Sequence, residues 1–302
     1  MSELVYHIPA LLPQCLEALD IKPDGTYVDA TFGGGGHSRA IVERLGPDGH
    51  LYGFDQDEDA LAGAVDDSRF TMVYGNFRFM ANFLRYYGVD KVDGILADLG
   101  VSFHHFDDSE RGFSFRSDAR LDMRMNRHAR LSALEVVNGY SEERLADILY
   151  LYGEVKQSRQ IARAIVKARA EAPVETINRL LEVVAPYIDR RKEKKDLACI
   201  FQALRIEVNG ELDALREFLD QTVRVLRPGG RLAIITYHSL EDRLVKNFMR
   251  SGNFEGRVEK DIYGRAEVPF KLMGSKPIVA SEAEVEANPR SRSAKLRVAQ
   301  RL

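Results

Sequence analysis

Cysteine is nearly absent from this sequence: among 302 residues there are two, Cys15 and Cys199. Their spacing fits neither a metal site nor a disulfide framework, as expected for a protein kept in a reducing compartment. An excess of one charge is missing too. With 43 Lys and Arg against 46 Asp and Glu, the formal net charge is -3, so any contact with nucleic acid has to come from a local basic surface. No run approaches the roughly 18 apolar residues of a membrane span. Residues 1–9 lack the basic, apolar and small-residue succession of a secretion signal. A cytoplasmic protein without a membrane partner is expected. What is present, 45% hydrophobic and 29% charged residues, suits a globular chain long enough to bury a sizeable core.

The first third of the chain alternates in type. Residues 26–30 read as a strand running into Thr31-Phe32 and four glycines, and then a helix over about 37–45. Residues 50–54 read as a second strand ending on Asp55-Gln56-Asp57, followed by a helix over 58–65. A third strand at 70–74, a helix around 79–87 and a fourth strand at 92–98 continue the pattern. Such alternation builds a parallel sheet with right-handed crossovers. The next strand, 231–237, follows a turn at Arg227-Pro228-Gly229-Gly230. A single crossover needs only about a dozen residues, so the long intervening segment holds an insertion.

That insertion reads as helical, with Ser141 capping a helix to about 152, then helices over 154–170, 176–188 and 197–208. The basic run 190–195 reads as an exposed loop, and a helix from Gly210 to about 226 returns to the sheet. The expected architecture is α/β: a doubly wound, mostly parallel sheet domain over 1–105 and 206–302, interrupted by an all-helical domain over 106–205. Residues 294–300 are either a last strand or part of a cationic tail.

The chemistry-bearing positions fall at strand ends. A glycine loop lets a ligand approach the backbone, and the helix after it offers free N–H groups. Here Gly33-Gly34-Gly35-Gly36-His37-Ser38 puts Ser38 where a dinucleotide fingerprint places its third glycine. Asp29, just before the loop, would repel a pyrophosphate and suits a ligand carrying an ammonium group, such as the methionine part of S-adenosyl-L-methionine. Asp55 at the tip of the second strand is placed to accept from ribose hydroxyls; its other reading is a helix cap. Phe77 packs on adenine or belongs to the core. Asp98 ends the fourth strand beside the ligand crevice, facing a sulfonium or an acceptor amine, unless it is a loop cap. His238 ends the fifth strand, where it orients a base, accepts a proton or serves as a hydrogen-bonded structural histidine. Lys156, Arg159, Arg163 and Lys167 recur every three or four residues as one basic stripe, which with residues 190–195 makes either a phosphate-contact surface or a solvated face. No metal-ligating cluster stands out.

Further runs sharpen the reading: His7-Ile8-Pro9-Ala10-Leu11-Leu12, Asp29-Ala30-Thr31-Phe32 with the glycine loop, Asp107 to Phe115, Leu121-Asp122-Met123-Arg124-Met125, Phe201-Gln202-Ala203-Leu204-Arg205 and His238-Ser239-Leu240-Glu241-Asp242-Arg243. In that order they resemble the RsmH (MraW) family of small-subunit ribosomal RNA cytosine-N4 methyltransferases, over essentially the whole chain. The resemblance implies a class I S-adenosyl-L-methionine-dependent methyltransferase fold with a helical insertion. It implies methylation of a P-site cytidine, cytidine 1402 in common 16S rRNA numbering, with the small ribosomal subunit as partner. It puts cofactor contacts on Gly35, Gly36, His37, Asp55, Phe77 and Asp98, beside Asp29 and Gly33.

One departure accompanies it. Ser102-Phe103-His104-His105 stands where the family has Ser-Ser-Pro-Gln, so a glutamine contact to the cofactor falls on His105, whose imidazole replaces one amide hydrogen bond but not both. An Asp-Pro-Pro-aromatic clamp is also absent, which leaves Phe103, Phe115 and His238 as candidates for holding the base. Arg111, Arg124 and Arg205, within the matching runs, join the candidate substrate-binding residues. Asp98 and His238 are the candidate catalytic pair. The alternative is a non-enzymatic RNA-binding or assembly protein on a methyltransferase scaffold. Monomer and homodimer both stay open.

Overall fold

The computed structural model describes residues 9–101, 108–260, 263–264 and 266–302. The chain divides into two compact units, one of residues 1–100 and 212–302, the other of residues 101–211.

The first unit is built on an eight-stranded sheet. Its strands are β1 (Thr26–Asp29), β2 (His50–Asp55), β3 (Phe70–Tyr74), β4 (Val92–Asp98), β5 (Leu226–Thr236), β6 (Phe270–Leu272), β7 (Ile278–Val279) and β8 (Lys295–Arg301). The order is β3-β2-β1-β4-β5-β8-β6, with β7 also on β8. Strands β1 to β5 pair in parallel, and β8 runs antiparallel between β5 and β6. Consecutive strands step outward from β1 to β3 and then return to β4 on the other side of β1, so the winding reverses between β1 and β4. At such a switch point the strand ends open a crevice for ligands. This is the doubly wound sheet of a class I methyltransferase fold.

Burial explains the strand compositions. Val28, Leu51, Phe54, Ile95, Leu96, Ile234 and Ile235 are wholly buried, as befits strands covered on both faces. Helix α1 (Leu12–Leu19) begins with Pro13 in its first turn and buries Cys15, Leu16 and Leu19; the sequence reading had not placed it. Helix α2 (Gly36–Val42) follows the glycine loop, and α3 (Met80–Tyr86) follows β3. Two other expectations change. Residues 58–63 form a 3-10 helix capped by Asp57 rather than an α-helix to 65. The anticipated turn at 227–230 is a bulge inside β5: Leu226 pairs with Val92, while Arg231 already pairs with Gly94. The C-terminal cations lie in a strand, not a free tail, and Arg297 pairs with Asp242 at 2.7 Å.

The second unit is helical, with segments Ala133–Gly139, Glu142–Leu151, Ser158–Glu171, Ile177–Val184 and Glu193–Asn209. Ser132 and Glu135 form a capping box, and Ser141 and Thr176 cap the next helices as their positions suggest. Pro186 follows the last turn of Ile177–Val184, so the helix tightens to a 3-10 turn at 185–187 instead of reaching 188. The helix expected from 154 starts at Ser158, leaving Lys156 in the preceding turn. The basic loop is shorter than expected, because the next helix starts at Glu193. The core is lined by Leu121, Val136, Ile148, Ile161, Ile165, Leu180, Ile200 and Leu204.

Candidate active site

At the carboxyl ends of β1 and β4, Asp29 and Asp98 are joined through one hydrogen-bond chain. Ser38, fully buried on α2, donates its hydroxyl to Asp29 Oδ2 at 2.7 Å. The Thr31 N–H donates to Asp29 Oδ1 at 3.2 Å, and Thr31 Oγ1 accepts from the Asp98 N–H at 2.6 Å. Tyr237, just past β5, donates its phenol to Asp98 Oδ1 at 2.8 Å. The ends of β1, β4 and β5 are thereby tied together by groups that carry no formal positive charge.

Burial without a counter-charge has a direct consequence. It pushes both carboxyls up from the ordinary aspartate range to about 6, with the Ser38 and Thr31 bonds opposing this at Asp29. At Asp98, proximity to His37 and the Tyr237 bond oppose it, while Asp29 and Glu241 add to it. The side chain of Asp98 is 23% exposed, whereas Asp29 is 1% exposed with both oxygens engaged. Asp29 therefore anchors the loop from a buried position, while Asp98 is the more open of the two carboxylates.

The glycine loop is shaped by two steric demands. Gly35 has φ +74°, in the left-handed region, and a Cβ on Gly36 would sit 2.3 Å from Pro9 Cγ. The Gly33 N–H donates to Asp55 Oδ2 at 2.8 Å, and Asp55 Oδ1 accepts from the Asp57 N–H at 2.9 Å. His37 is 6% exposed, its Nε2 3.1 Å from the Ala10 carbonyl and its Nδ1 3.9 Å from Asp98 Oδ2. A carbonyl only accepts, so Nε2 carries a proton. Burial lowers the His37 pKa, and the neighbouring Asp98 charge opposes this. Phe77 meets Phe218 edge to face at 5.2 Å and is half-buried, beside Asn76, whose amide donates to Gln56 at 2.7 Å.

His238 is held elsewhere. It caps the helix Ser239–Ser251, with Nδ1 3.5 Å from the Glu241 N–H and Nε2 3.1 Å from the Glu241 carboxylate. Nε2 is buried without a hydrogen-bond partner among the described residues. Phe103 and His105 lie outside the described residues.

Within the helical unit the arginines diverge. Arg111 is 4% exposed and donates to the Arg124 and Met125 carbonyls at 2.9 and 3.0 Å. Arg124 forks onto Asp122 at 2.8 and 2.7 Å, and Arg205 onto Glu211 at 2.8 and 2.9 Å. These three are tied into the unit rather than offered to a ligand. Phe115 packs edge to face on Phe201 at 5.5 Å. Lys156, Arg159, Arg163 and Lys167 are all exposed, with Arg163 3.3 Å from Glu142, and Ile161 and Ile165 are buried away from them.

Comparison with known proteins settles the class. The sequence matches the MraW methylase family over residues 4–302. The chain belongs to that family. Ribosomal RNA small subunit methyltransferase H of Phocaeicola vulgatus is 61% identical over 303 residues, covering 100% of both chains. Its namesakes from Bacteroides thetaiotaomicron, 60% identical with 99% of each chain covered, and Christiangramia forsetii, 55% identical with 100% covered, are similar along their length. TrmN from Thermus thermophilus superposes with a TM-score of 0.44 at 14% identity, covering 97% of this chain and 48% of that one, a likeness too low to carry an argument.

As an MraW-family methylase, the protein uses S-adenosyl-L-methionine. The donor set fits that molecule chemically: strand-end carboxylates suit hydroxyl and amine groups, and an aromatic ring suits a purine. Sequence reasoning missed Tyr237 and Thr31 as site residues. The signal was available, since Thr31 follows β1 and Tyr237 follows β5, on either side of β4.

Proposed function

We propose that this methylase transfers a methyl group to the N4 amine of a cytidine in small-subunit ribosomal RNA, cytidine 1402 in the common 16S numbering, in the cytoplasm. The observation that carries this reading is the full-length identity of about three residues in five to proteins named ribosomal RNA small subunit methyltransferase H, joined to Asp98 Oδ2 at the switch point, which accepts no hydrogen bond from a described residue.

S-adenosyl-L-methionine supplies, when bound, a methyl group already activated on a sulfonium. Asp55 would hold its ribose hydroxyls, Gly33 to His37 its methionine end and Phe77 its adenine. The work left to the protein is positioning and electrostatics. A cytosine exocyclic amine is a weak nucleophile because its lone pair is delocalised into the ring. Asp98, ionised above about pH 6, accepts a hydrogen bond from that N–H and raises the electron density on nitrogen. In the helical unit, the exposed stripe Lys156, Arg159, Arg163 and Lys167 and the basic residues of 190–195 provide phosphate contacts. A base in a single-stranded segment is reached at the lowest unstacking cost.

The test is incubation with labelled S-adenosyl-L-methionine and three acceptors: naked small-subunit RNA, assembly intermediates and mature subunits lacking the modification. Digestion to nucleosides is expected to yield N4-methylcytidine from at least one of them. Label on another nucleoside, or only on protein, overturns the assignment.

A further inference from the structure

The Tyr237 hydroxyl gives the two Asp98 oxygens different tasks. Oδ1 accepts the phenol hydrogen bond at 2.8 Å, while no described residue donates a hydrogen bond to Oδ2. The backbone of Asp98 is pinned as well, through its N–H on Thr31 Oγ1. We propose that Tyr237 is a positioning residue for methyl transfer: its hydroxyl fixes the rotation of the Asp98 carboxylate, so that Oδ2 alone is presented to the acceptor amine. This rests on the reading of Asp98 given above.

Chemistry supports the assignment. A carboxylate held at one point turns about its Cβ–Cγ bond, and a transition state needs its acceptor fixed in direction. The phenol is a suitable clamp because it does not compete for the proton. Burial and the neighbouring Asp98 charge raise its own pKa above the ordinary tyrosine value, so it stays a neutral donor through the working pH range. The other groups facing Asp98 do not substitute for it. His37 on α2 keeps Nδ1 3.9 Å from Oδ2, beyond hydrogen-bond reach, and Asp29 on β1 and Glu241 on the helix Ser239–Ser251 are acids. Cys15 on α1 is a thiol whose pKa burial raises, with Asp98 and Asp29 adding to the effect.

Tyr237→Phe removes one oxygen and preserves the ring. Three readouts on full-length protein test the role. In single turnover on modification-deficient small subunits, the maximal rate is expected to fall by about ten- to a hundredfold, the range for a hydrogen bond to a charged group, with the affinities for cofactor and RNA little changed. The acid limb of the rate profile is expected to move to higher pH, because the carboxylate loses a donor. Carbon-13 NMR of aspartate-labelled protein without cofactor, assigned with Asp98→Asn, is expected to show the Asp98 carboxyl titrating above its wild-type midpoint.

A wild-type rate with an unmoved Asp98 midpoint overturns the proposal. So does a loss confined to cofactor affinity, which would put Asp98 on the cofactor's ammonium group. An inactive wild-type enzyme on every ribosomal acceptor counts against the underlying reading instead, and the carboxyl titration still reports whether Tyr237 governs Asp98.

Discussion

Asp29 and Asp98 in the sheet unit and Arg124 and Arg205 in the helical unit are charges brought out of open water, but on different terms. Each arginine meets a carboxylate through a two-pronged bond, which is the usual condition for burying a charge. The two aspartates have a hydroxyl each, with one backbone N–H added at Asp29, instead, and the charged form is left poorly compensated. A poorly compensated acid stays ready to take a proton or a hydrogen bond from something else, as active sites require. The paired arginines hold their segments together, and Asp98 is the poorly compensated acid that the proposed function puts to work.

The sharpest way to break this contrast is at Asp98. Asp98→Asn keeps the shape and the tyrosine contact but removes the charge, and turnover is expected to drop by about a hundred- to ten-thousandfold, the typical contribution of a positioned acid or base. Next in size is Arg111→Met, which leaves the Arg124 and Met125 carbonyls without their donor. Urea denaturation is expected to show a loss of roughly 2–4 kcal/mol.

The third effect is a dependence on pH with opposite signs for stability and rate. Folding raises the Asp29 and Asp98 pKa values from 3.8 to about 6, so between these values the folded chain holds more protons than the unfolded one. Stability therefore falls as pH rises through that window, by about 3 kcal/mol for each group, whereas turnover, needing ionised Asp98, rises through about pH 6. Denaturation midpoints of Asp29→Asn followed from pH 4 to 7 are expected to lose part of this slope. The smallest effect on the fold is expected from replacing Lys156, Arg159, Arg163 and Lys167 together with glutamine. The melting temperature should hardly change, while RNA affinity drops and its salt dependence flattens by about one unit of slope per contact removed.

The same contrast explains what could be read from the chain beforehand. Alternating apolar segments and their crossovers dictate a sheet, and a sheet puts the last residues of its strands on one edge, so Asp55 and Asp98 were legible from period and position alone. Helix α1 was not, because its eight residues make barely two turns and a proline stands in the first of them. Tyr237 was visible as a strand end, yet its tie to Asp98 depends on the side-by-side pairing of β4 and β5, which two distant stretches of sequence do not display. The carbonyl contacts of Arg111 were not legible for a related reason. A charged residue in a recognisable run has the same spelling whether it reaches a phosphate or satisfies two buried carbonyls. The stripe at 156 to 167 was clearer, because Ile161 and Ile165 on the opposite face fix which side is wet.

The most direct measurement is single-turnover methyl transfer to small subunits lacking the modification, comparing wild type with Asp98→Asn and identifying the methylated nucleoside by mass spectrometry. Wild type is expected to give N4-methylcytidine at one position, and Asp98→Asn to bind the same subunits while transferring at least about a hundredfold more slowly. An Asp98→Asn enzyme as fast as wild type, or a methyl group on any other atom of the RNA, would contradict the assignment of the strand-end carboxylate to cytosine-N4 chemistry.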